Sequence, residues 1–264
     1  MSPVEIALLA LAGLCVAFAF IYGLARAIDN YGIVDIAWSY AFAALGVFYA
    51  LFGAGWPARR ALVATMAALW SLRLGTHLLI RIARKHPTED GRYVQLRSDW
   101  KGAFAAKMAG FFQLQALSVV LLGIPFLAAC SNPDPGLRPL ELLGAALWLV
   151  SISGEALADA QLAAFKKRPE AAGKVCDAGL WRYSRHPNYF FEWMIWVSFF
   201  VLGSASPWGW VGILSPASML FLLLRVTGIP ATEEQSVRTK GDAYRRYQQT
   251  TSAFVPLPRR KPAL

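Results

Sequence analysis

The chain has 264 residues and a net charge of +10, with 56% hydrophobic and only 16% charged residues. A soluble domain carries about 25% charged residues, so this composition excludes an ordinary soluble enzyme and indicates an integral membrane protein. The basic residues flank apolar runs, which explains the charge without a nucleic-acid partner. Three cysteines without metal-ligand spacing predict neither a disulfide framework nor a metal site.

The apolar runs predict an all-α, polytopic membrane protein with about seven transmembrane helices, since a span needs about 20 mainly apolar residues. We expect a single membrane domain over residues 1–264, with a cofactor cavity that faces the cytoplasm. The first run lacks a basic leader and carries Glu5, so it is interpreted as a spanning helix rather than a cleaved signal peptide. The predicted spans are roughly 5–26, 33–53, 61–82, 111–129, 139–162, 189–204 and 207–229.

The basic residues divide unevenly between the two sides that seven spans define. The N-terminal side carries Arg59, Arg60 and Arg138, Arg73 lies within the third span, and the other 22 Lys and Arg fall on the opposite side. Cytoplasmic loops carry an excess of basic residues, so we expect an external N-terminus and a cytoplasmic C-terminus, in the bacterial inner membrane.

Ionisable residues within spans are costly, at about 2.5–3.5 kcal/mol each on insertion scales, and usually face a cavity or a partner. Here they are Asp35, Arg73, His77, Glu155, Asp159, Glu192 and Arg225. Most lie near the predicted cytoplasmic face and come from different helices, which favours a polar cavity there. Simpler interpretations stay open: snorkelling for Arg81, Arg84 and Arg225, packing for His77, and a helix-start position for Asp35.

The stretch "GLWRYSRHPNYFFEW", Gly179 to Trp193, concentrates hydrogen-bonding groups at the edge of an apolar run. Pro187 suits the first turn of a helix, so Arg185, His186 and Asn188 are predicted at a helix start, where anions are favoured. Glu192 follows Asn188 by one turn and shares its face.

This motif, with "VDIAWS", "EDGRY" and the C-terminal "EEQSVRTKGDAYRRYQQTTSAFVPLP", resembles the membrane steroid 5α-reductase superfamily, closest to its bacterial branch. The resemblance covers most of the chain and is strongest over residues 140–256. It implies seven spans, an NADPH site open to the cytoplasm, and reduction of a C=C bond conjugated to a ketone in a lipophilic, steroid-like substrate. No obligate protein partner is inferred, and membrane lipid is the expected surrounding.

The resemblance also implies roles for individual residues. It suggests cofactor binding by Asp159, Lys166, Asn188, Glu192, Arg225, Tyr244 and Tyr247. The same motif and the basic residues of the cytoplasmic mouth add Arg84, Arg168, Tyr183, Arg185 and His186 to the expected NADPH site. A Phe, Phe191, precedes Glu192 where the family often has Gly.

The catalytic residues are expected to be Asp35, Arg73 and His77. In the family a second-span Glu and a Tyr hold the substrate ketone, and Asp35 stands for the Glu. A protonated Asp35 is one hypothesis for the donor to the enolate oxygen, because burial raises a carboxyl pKa. If Asp35 is only a helix-end residue, the donor is sought among Arg73, His77, Tyr40 and Tyr93.

Two other functions fit parts of the pattern. The R-H-P-x-Y core and a Glu-Glu plus Tyr-x-x-Tyr tail also occur in S-adenosylmethionine-dependent membrane methyltransferases of the isoprenylcysteine and phospholipid type. A non-enzymatic lipid-binding or transport protein is the other alternative. The absence of a Gly-x-Gly-x-x-Gly or P-loop sequence indicates that a cofactor would not bind through a Rossmann domain.

Overall fold

The computed structural model describes residues 1–171, 173–226 and 228–260, and within them the secondary structure is helical without β-strands. The described α-helices are α1 (Pro3–Ala27), α2 (Ile33–Phe52), α3 (Pro57–Ala83), α4 (Gly91–Asp99), α5 (Phe104–Leu122), α6 (Ile124–Cys130), α7 (Pro139–Lys166), α8 (Pro187–Gly203), α9 (Leu214–Phe221), α10 (Ile229–Lys240) and α11 (Asp242–Thr250). A π-helical segment, Leu222–Val226, follows α9.

Six helical segments among the described residues are long and apolar enough to cross a membrane: α1, α2, α3, α5, α7 and the run Gly209–Lys240. The prediction of an all-α polytopic membrane protein is thereby confirmed. The predicted sixth span, 189–204, corresponds to α8, which has 17 residues. At 1.5 Å per residue α8 is about 26 Å long, shorter than the hydrocarbon core of about 30 Å.

The fourth predicted span, 111–129, is placed differently in the structure. The helix begins earlier, at Phe104, and stops at Leu122, and a separate helix runs over Ile124–Cys130. Pro125 stands at the start of this second helix. A proline has no N–H to continue the preceding hydrogen-bond ladder, so an apolar run that looks continuous in the sequence is divided in two.

The described chain divides into two compact units, and the prediction of a single membrane domain stays a prediction. The first unit contains Met1–Arg138 and Gly203–Gly212, and the second contains Pro139–Leu202 and Ile213–Leu264. In the first unit α2 packs along α3, with the ring of Phe42 at 4.8 Å from Trp38 and 5.3 Å from Trp70. The contact between Phe42 and Trp70 packs α2 against α3.

Three arginines stabilise connections of the first unit. Arg59 is fully buried and donates to the carbonyl oxygens of Asn132 at 2.7 Å and Gly136 at 2.7 Å. Arg60 donates to the carbonyls at the end of α2, and Arg138 pairs with Asp134. These are the three basic residues on the predicted external side, and their contacts give each of them a structural role.

In the second unit α7 and α8 approach closely where α7 carries glycine. A Cβ atom at Gly144 would lie 2.7 Å from the backbone nitrogen of Leu202. A Cβ at Gly154 would lie 2.5 Å from the ring of Phe191. Small residues allow helices in lipid to pack backbone against backbone, because apolar side chains gain little by leaving lipid for a helix interface.

The C-terminal residues of the second unit return to the motif that precedes α8. The Ser184 hydroxyl donates to the carbonyl of Phe254 at 2.7 Å, and the Arg185 N–H donates to the carbonyl of Ser252 at 2.8 Å. The N–H of Leu257 donates to the carbonyl of Tyr183 at 2.9 Å. These main-chain contacts fix the start of α8 against a segment about 70 residues later in the sequence.

Candidate functional site

A polar cluster in the first unit joins the first turn of α2 to α4. Asp35, in that first turn, accepts a hydrogen bond from the Tyr93 hydroxyl at 2.9 Å and another from Arg92 Nη2 at 2.6 Å. Asp90 caps the N-terminus of α4 by accepting from the Arg92 N–H, which sets where α4 begins. The cap places Arg92 and Tyr93 in the first turn of α4.

Both carboxylate oxygens of Asp35 act as hydrogen-bond acceptors here, whereas the sequence-based hypothesis made Asp35 a donor. Tyr93 is 2% exposed, and burial, followed by the Asp35 charge, raises the pKa of its hydroxyl well above the usual range. Burial alone lowers the pKa of Arg92, but the Asp35 and Asp90 carboxylates outweigh this and raise it. The cluster therefore holds a cation and a protonated phenol around one carboxylate.

A second set of contacts holds the segment that carries this cluster. Glu89 accepts from Arg97 Nε at 2.9 Å and from the Tyr31 N–H at 2.7 Å. Arg97 also pairs with Asp29 at 2.6 Å, and its guanidinium lies 4.8 Å from the Tyr31 ring and 5.1 Å from the Phe104 ring. The segment "EDGRYVQLR" is thus tied to the chain between α1 and α2 at two points.

The other two predicted catalytic residues lie on the neighbouring helix α3. Arg73 is half-buried and His77 is exposed, both on α3. Tyr40, on the neighbouring α2, shares a hydrogen bond of 3.0 Å with Thr76. Tyr93, one of the donors considered from the sequence, contacts Asp35, and the roles of Arg73 and His77 stay predictions.

In the second unit Glu233 of α10 is the centre of a hydrogen-bond network. Its carboxylate accepts from Arg185 Nε at 2.7 Å and Nη2 at 3.0 Å, and it lies 3.0 Å from His186 Nε2. The Tyr244 hydroxyl donates to it at 3.0 Å and Gln248 Nε2 donates at 2.6 Å. Burial, followed by the Glu233 charge, raises the pKa of Tyr244, so its hydroxyl stays protonated.

These contacts bear on the predicted NADPH site, because Arg185 and His186 were expected to face the cofactor. Arg185 uses its third nitrogen to donate to the carbonyls of Gln248 and Thr251. Tyr247, also expected at the cofactor, is buried and donates to the carbonyls of Trp181 and Ser184. In this structure all three join the R-H-P motif to the C-terminal helices, and a phosphate would have to compete with these contacts.

Asn188 and Glu192 lie one turn apart at the start of α8. Asn188 Nδ2 donates to Asp159 of α7 at 3.3 Å, so two residues that the resemblance assigns to the cofactor are in contact. The side chain of Glu192 is buried and accepts from Trp196 Nε1 at 3.1 Å. Amide and carboxylate groups at this helix start can recognise a carboxamide, which presents one donor and one acceptor.

The remaining predicted cofactor residues are exposed. In the second unit they are Lys166, Arg168, Tyr183 and Arg225, and in the first unit Arg84, the residue that caps the end of α3. The exposed lysine and arginines of this set can pair with phosphate without a large desolvation cost.

Two central residues were not selected from the sequence. Arg92 is within the quoted "EDGRY", but its contact with Asp35 joins positions 57 apart. Glu233 begins the quoted "EEQ", and its partners lie up to 48 positions away. The sequence shows that both residues are charged and lie outside the apolar spans. It does not show their partners, because no regular spacing relates Arg92 to Asp35 or Glu233 to Arg185.

The six membrane-length helices found in the described part of the chain define a polytopic α-helical membrane protein. The chain belongs to the family described as "Protein of unknown function (DUF1295)", whose model matches residues 21–251. It is similar to uncharacterized protein C594.04c of Schizosaccharomyces pombe, at 25% identity over 269 residues that cover 89% of this chain and 75% of the yeast protein. No solved structure matches the chain with significance.

Proposed function

We propose that this protein is an NADPH-dependent membrane reductase that reduces the conjugated C=C bond of a lipophilic enone, such as a 3-oxo-Δ4-steroid. The observation that carries the proposal is the cluster in which Asp35 holds Arg92 and Tyr93. The resemblance of the motifs to membrane steroid 5α-reductases supplies the reaction class. The apolar helices suit a substrate that arrives from the lipid phase.

The cluster has the groups that such a reaction needs at the ketone. Reduction places negative charge on the ketone oxygen as a hydride adds to the β-carbon, and a proton then adds to the α-carbon. Arg92 stays charged and can stabilise the developing oxyanion, and the protonated hydroxyl of Tyr93 can turn from Asp35 to the same oxygen. Asp35 acts as the acceptor that orients both donors. In this proposal Asp35 does not itself donate a proton to the ketone oxygen.

The second unit has residues that fit the cofactor. Bound NADPH would supply the hydride. Asn188 and Glu192 offer complementary hydrogen bonds to a carboxamide, and Asp159 orients the Asn188 amide at 3.3 Å. The exposed Lys166 and Arg168, at the end of α7, can bind the additional phosphate that distinguishes NADPH from NADH.

The test uses purified protein in detergent with a 3-oxo-Δ4-steroid. We expect NADPH consumption that depends on the enone and yields the saturated ketone. Asp35→Ala removes the acceptor that orients Arg92 and Tyr93, so it is expected to bind NADPH nearly normally while turnover falls by up to about 10²–10³-fold, the typical cost of losing an oxyanion-stabilising donor. Glu192→Ala is expected to weaken NADPH binding itself.

Three results would contradict the proposal. Methyl transfer from S-adenosylmethionine with no NADPH binding would support the methyltransferase. Ligand flux without cofactor binding would support a transporter. Near-normal turnover by a well-folded Asp35→Ala protein would reduce Asp35 to a helix-start residue and show that it does not orient Arg92 and Tyr93 for the reaction.

Cofactor selection gives a separate measurement. One charge-assisted phosphate contact contributes roughly 1.5–3 kcal/mol, or about tenfold or more in affinity. We expect NADPH to bind at least tenfold more tightly than NADH, and Lys166→Ala with Arg168→Ala to remove the difference. Equal affinities of the unmodified protein for both cofactors at physiological salt would refute the phosphate role.

We also propose that the N-terminus is external and the C-terminus cytoplasmic, in the bacterial inner membrane, from the distribution of Lys and Arg. Reporter fusions at Ala54, Lys174 and Leu264 test the orientation. An external signal is expected at Ala54 and cytoplasmic signals at the other two. Any reversed signal would overturn the orientation without affecting the proposed chemistry.

A further inference from the structure

A cleft of about 330 Å³ in the second unit collects positive charge from three separate parts of the chain. Lys174 comes from the segment before the R-H-P motif, Arg246 from α11, and Arg259 from the C-terminal residues. Asp177 and Tyr247 also line the cleft. None of the three cations belongs to the set proposed to bind NADPH.

Hydrogen bonds join the parts of the chain that form the rim of the cleft. Arg259 Nη2 donates to Asp177 Oδ2 at 2.8 Å and to the Asp177 carbonyl at 3.2 Å. The N–H of Arg260 donates to the carbonyl of Thr250 at 2.9 Å, which ties the C-terminal residues to the end of α11. Among the described residues Arg259 donates its hydrogen bonds through Nη2, so its other nitrogens can face a ligand.

The charges in the cleft do not balance. Asp177 is the acid of the lining and is paired with Arg259, which leaves the positive charges of Lys174 and Arg246 as an excess. Both residues are exposed and stay hydrated in the folded protein. An anion can therefore pair with them without the large desolvation cost of a fully buried ion pair. The bias of basic residues to one side of the membrane accounts for their number, but not for three of them lining one cleft.

We propose that this cleft is a binding site for a phosphorylated anion, with Lys174, Arg246 and Arg259 as its ligands. Phosphate groups offer several acceptor oxygens and more than one negative charge, which match two guanidinium groups and an ammonium group. A volume of about 330 Å³ accepts a diphosphate or a phosphorylated head group. The site is separate in its residues from the proposed reductase chemistry and does not depend on it.

Two sources can present this chemistry: the head group of an anionic lipid, or a soluble phosphorylated metabolite. The first test identifies the site, with inorganic pyrophosphate as the probe and full-length protein in a neutral detergent. Isothermal titration calorimetry is performed at constant ionic strength, because exposed charges are screened by salt. We expect saturable binding at one equivalent.

The variants reverse the charge of two cations that line the cleft and of one neighbouring cation that does not. Arg246→Glu and Lys174→Glu are each expected to weaken pyrophosphate binding about tenfold or more. Arg245→Glu is the matched control, since Arg245 is exposed on α11, pairs with Asp242 and does not line the cleft. It is expected to change the affinity less than about twofold. Melting temperatures confirm that each variant is folded.

Unsaturable binding by the unmodified protein, or equal losses in Arg246→Glu and Arg245→Glu, would overturn the site. The source is then identified in nanodiscs of phosphatidylcholine alone or with added phosphatidylglycerol. Competition between phosphatidylglycerol and pyrophosphate supports a lipid head group, and unchanged pyrophosphate affinity supports a soluble ligand. Failure of the reductase assay would leave all of these outcomes unaffected.

Discussion

Removing the charge of Glu233 is expected to destabilise the second unit strongly. The variant Glu233→Gln keeps the size of the side chain but replaces one acceptor oxygen with a donor NH₂ group. That group would face the donors of Arg185, Tyr244 and Gln248, which approach Glu233 within 3.0 Å. The guanidinium of Arg185, whose side chain is 11% exposed, would lose its counter-charge.

The magnitude follows from the geometry of the pair. Two charge centres about 4 Å apart at an effective dielectric of about 20 attract each other by about 4 kcal/mol. Breaking one partner of a buried pair typically costs about 3–5 kcal/mol, because the remaining charge is left uncompensated. At about 2–4 °C per kcal/mol for a chain of this size, the melting temperature should fall by about 10 °C.

Thermal unfolding of the purified protein in detergent, followed by intrinsic fluorescence, measures this loss. Glu234→Gln is the control, because Glu234 is the exposed neighbour of Glu233 on the same helix. Both variants replace a carboxylate with an amide of the same size. We expect the control to melt within about 2 °C of the unmodified protein, as surface substitutions usually do. Equal melting temperatures for the two variants would show that the network around Glu233 contributes no stability, and would return Arg185 and His186 to the proposed phosphate site.

Three further outcomes are expected. Tyr93→Phe should lower enone turnover about 10²–10³-fold with NADPH affinity unchanged, and a change in NADPH affinity instead would remove Tyr93 from the ketone. The raised pKa of Tyr93 gives stability that is fully present below pH 10 and lost as the pH rises through the folded-state value, so from pH 10 upward the unmodified protein should lose stability faster than Tyr93→Phe. Gly144→Ala should cost about 1–3 kcal/mol by pushing α8 away, while Gly110→Ala, with nothing within 4 Å, should be neutral or stabilising in thermal unfolding.

The helical membrane fold follows from the sequence because apolar run length is a local property. A helix satisfies its own backbone hydrogen bonds, so a run of about 20 apolar residues determines a span without knowledge of its neighbours. The first three spans agree with α1, α2 and α3 for this reason. The division of the fourth at Pro125, and the 17-residue length of α8, show that boundaries are less securely determined by hydropathy.

Which residues meet was decided by tertiary structure alone. The sequence selected Asp35, Arg185 and His186 as chemically unusual, since ionisable groups near apolar segments are costly. Their partners Arg92 and Glu233 lie 57 and 48 positions away, and no periodicity relates such positions. Helix periodicity determines which residues share a face of one helix, but contacts between different helices depend on how the helices pack. In this protein that packing makes Asp35 the acceptor for Arg92 and Tyr93. It also pairs Arg185 with Glu233, which gives Arg185 a structural role.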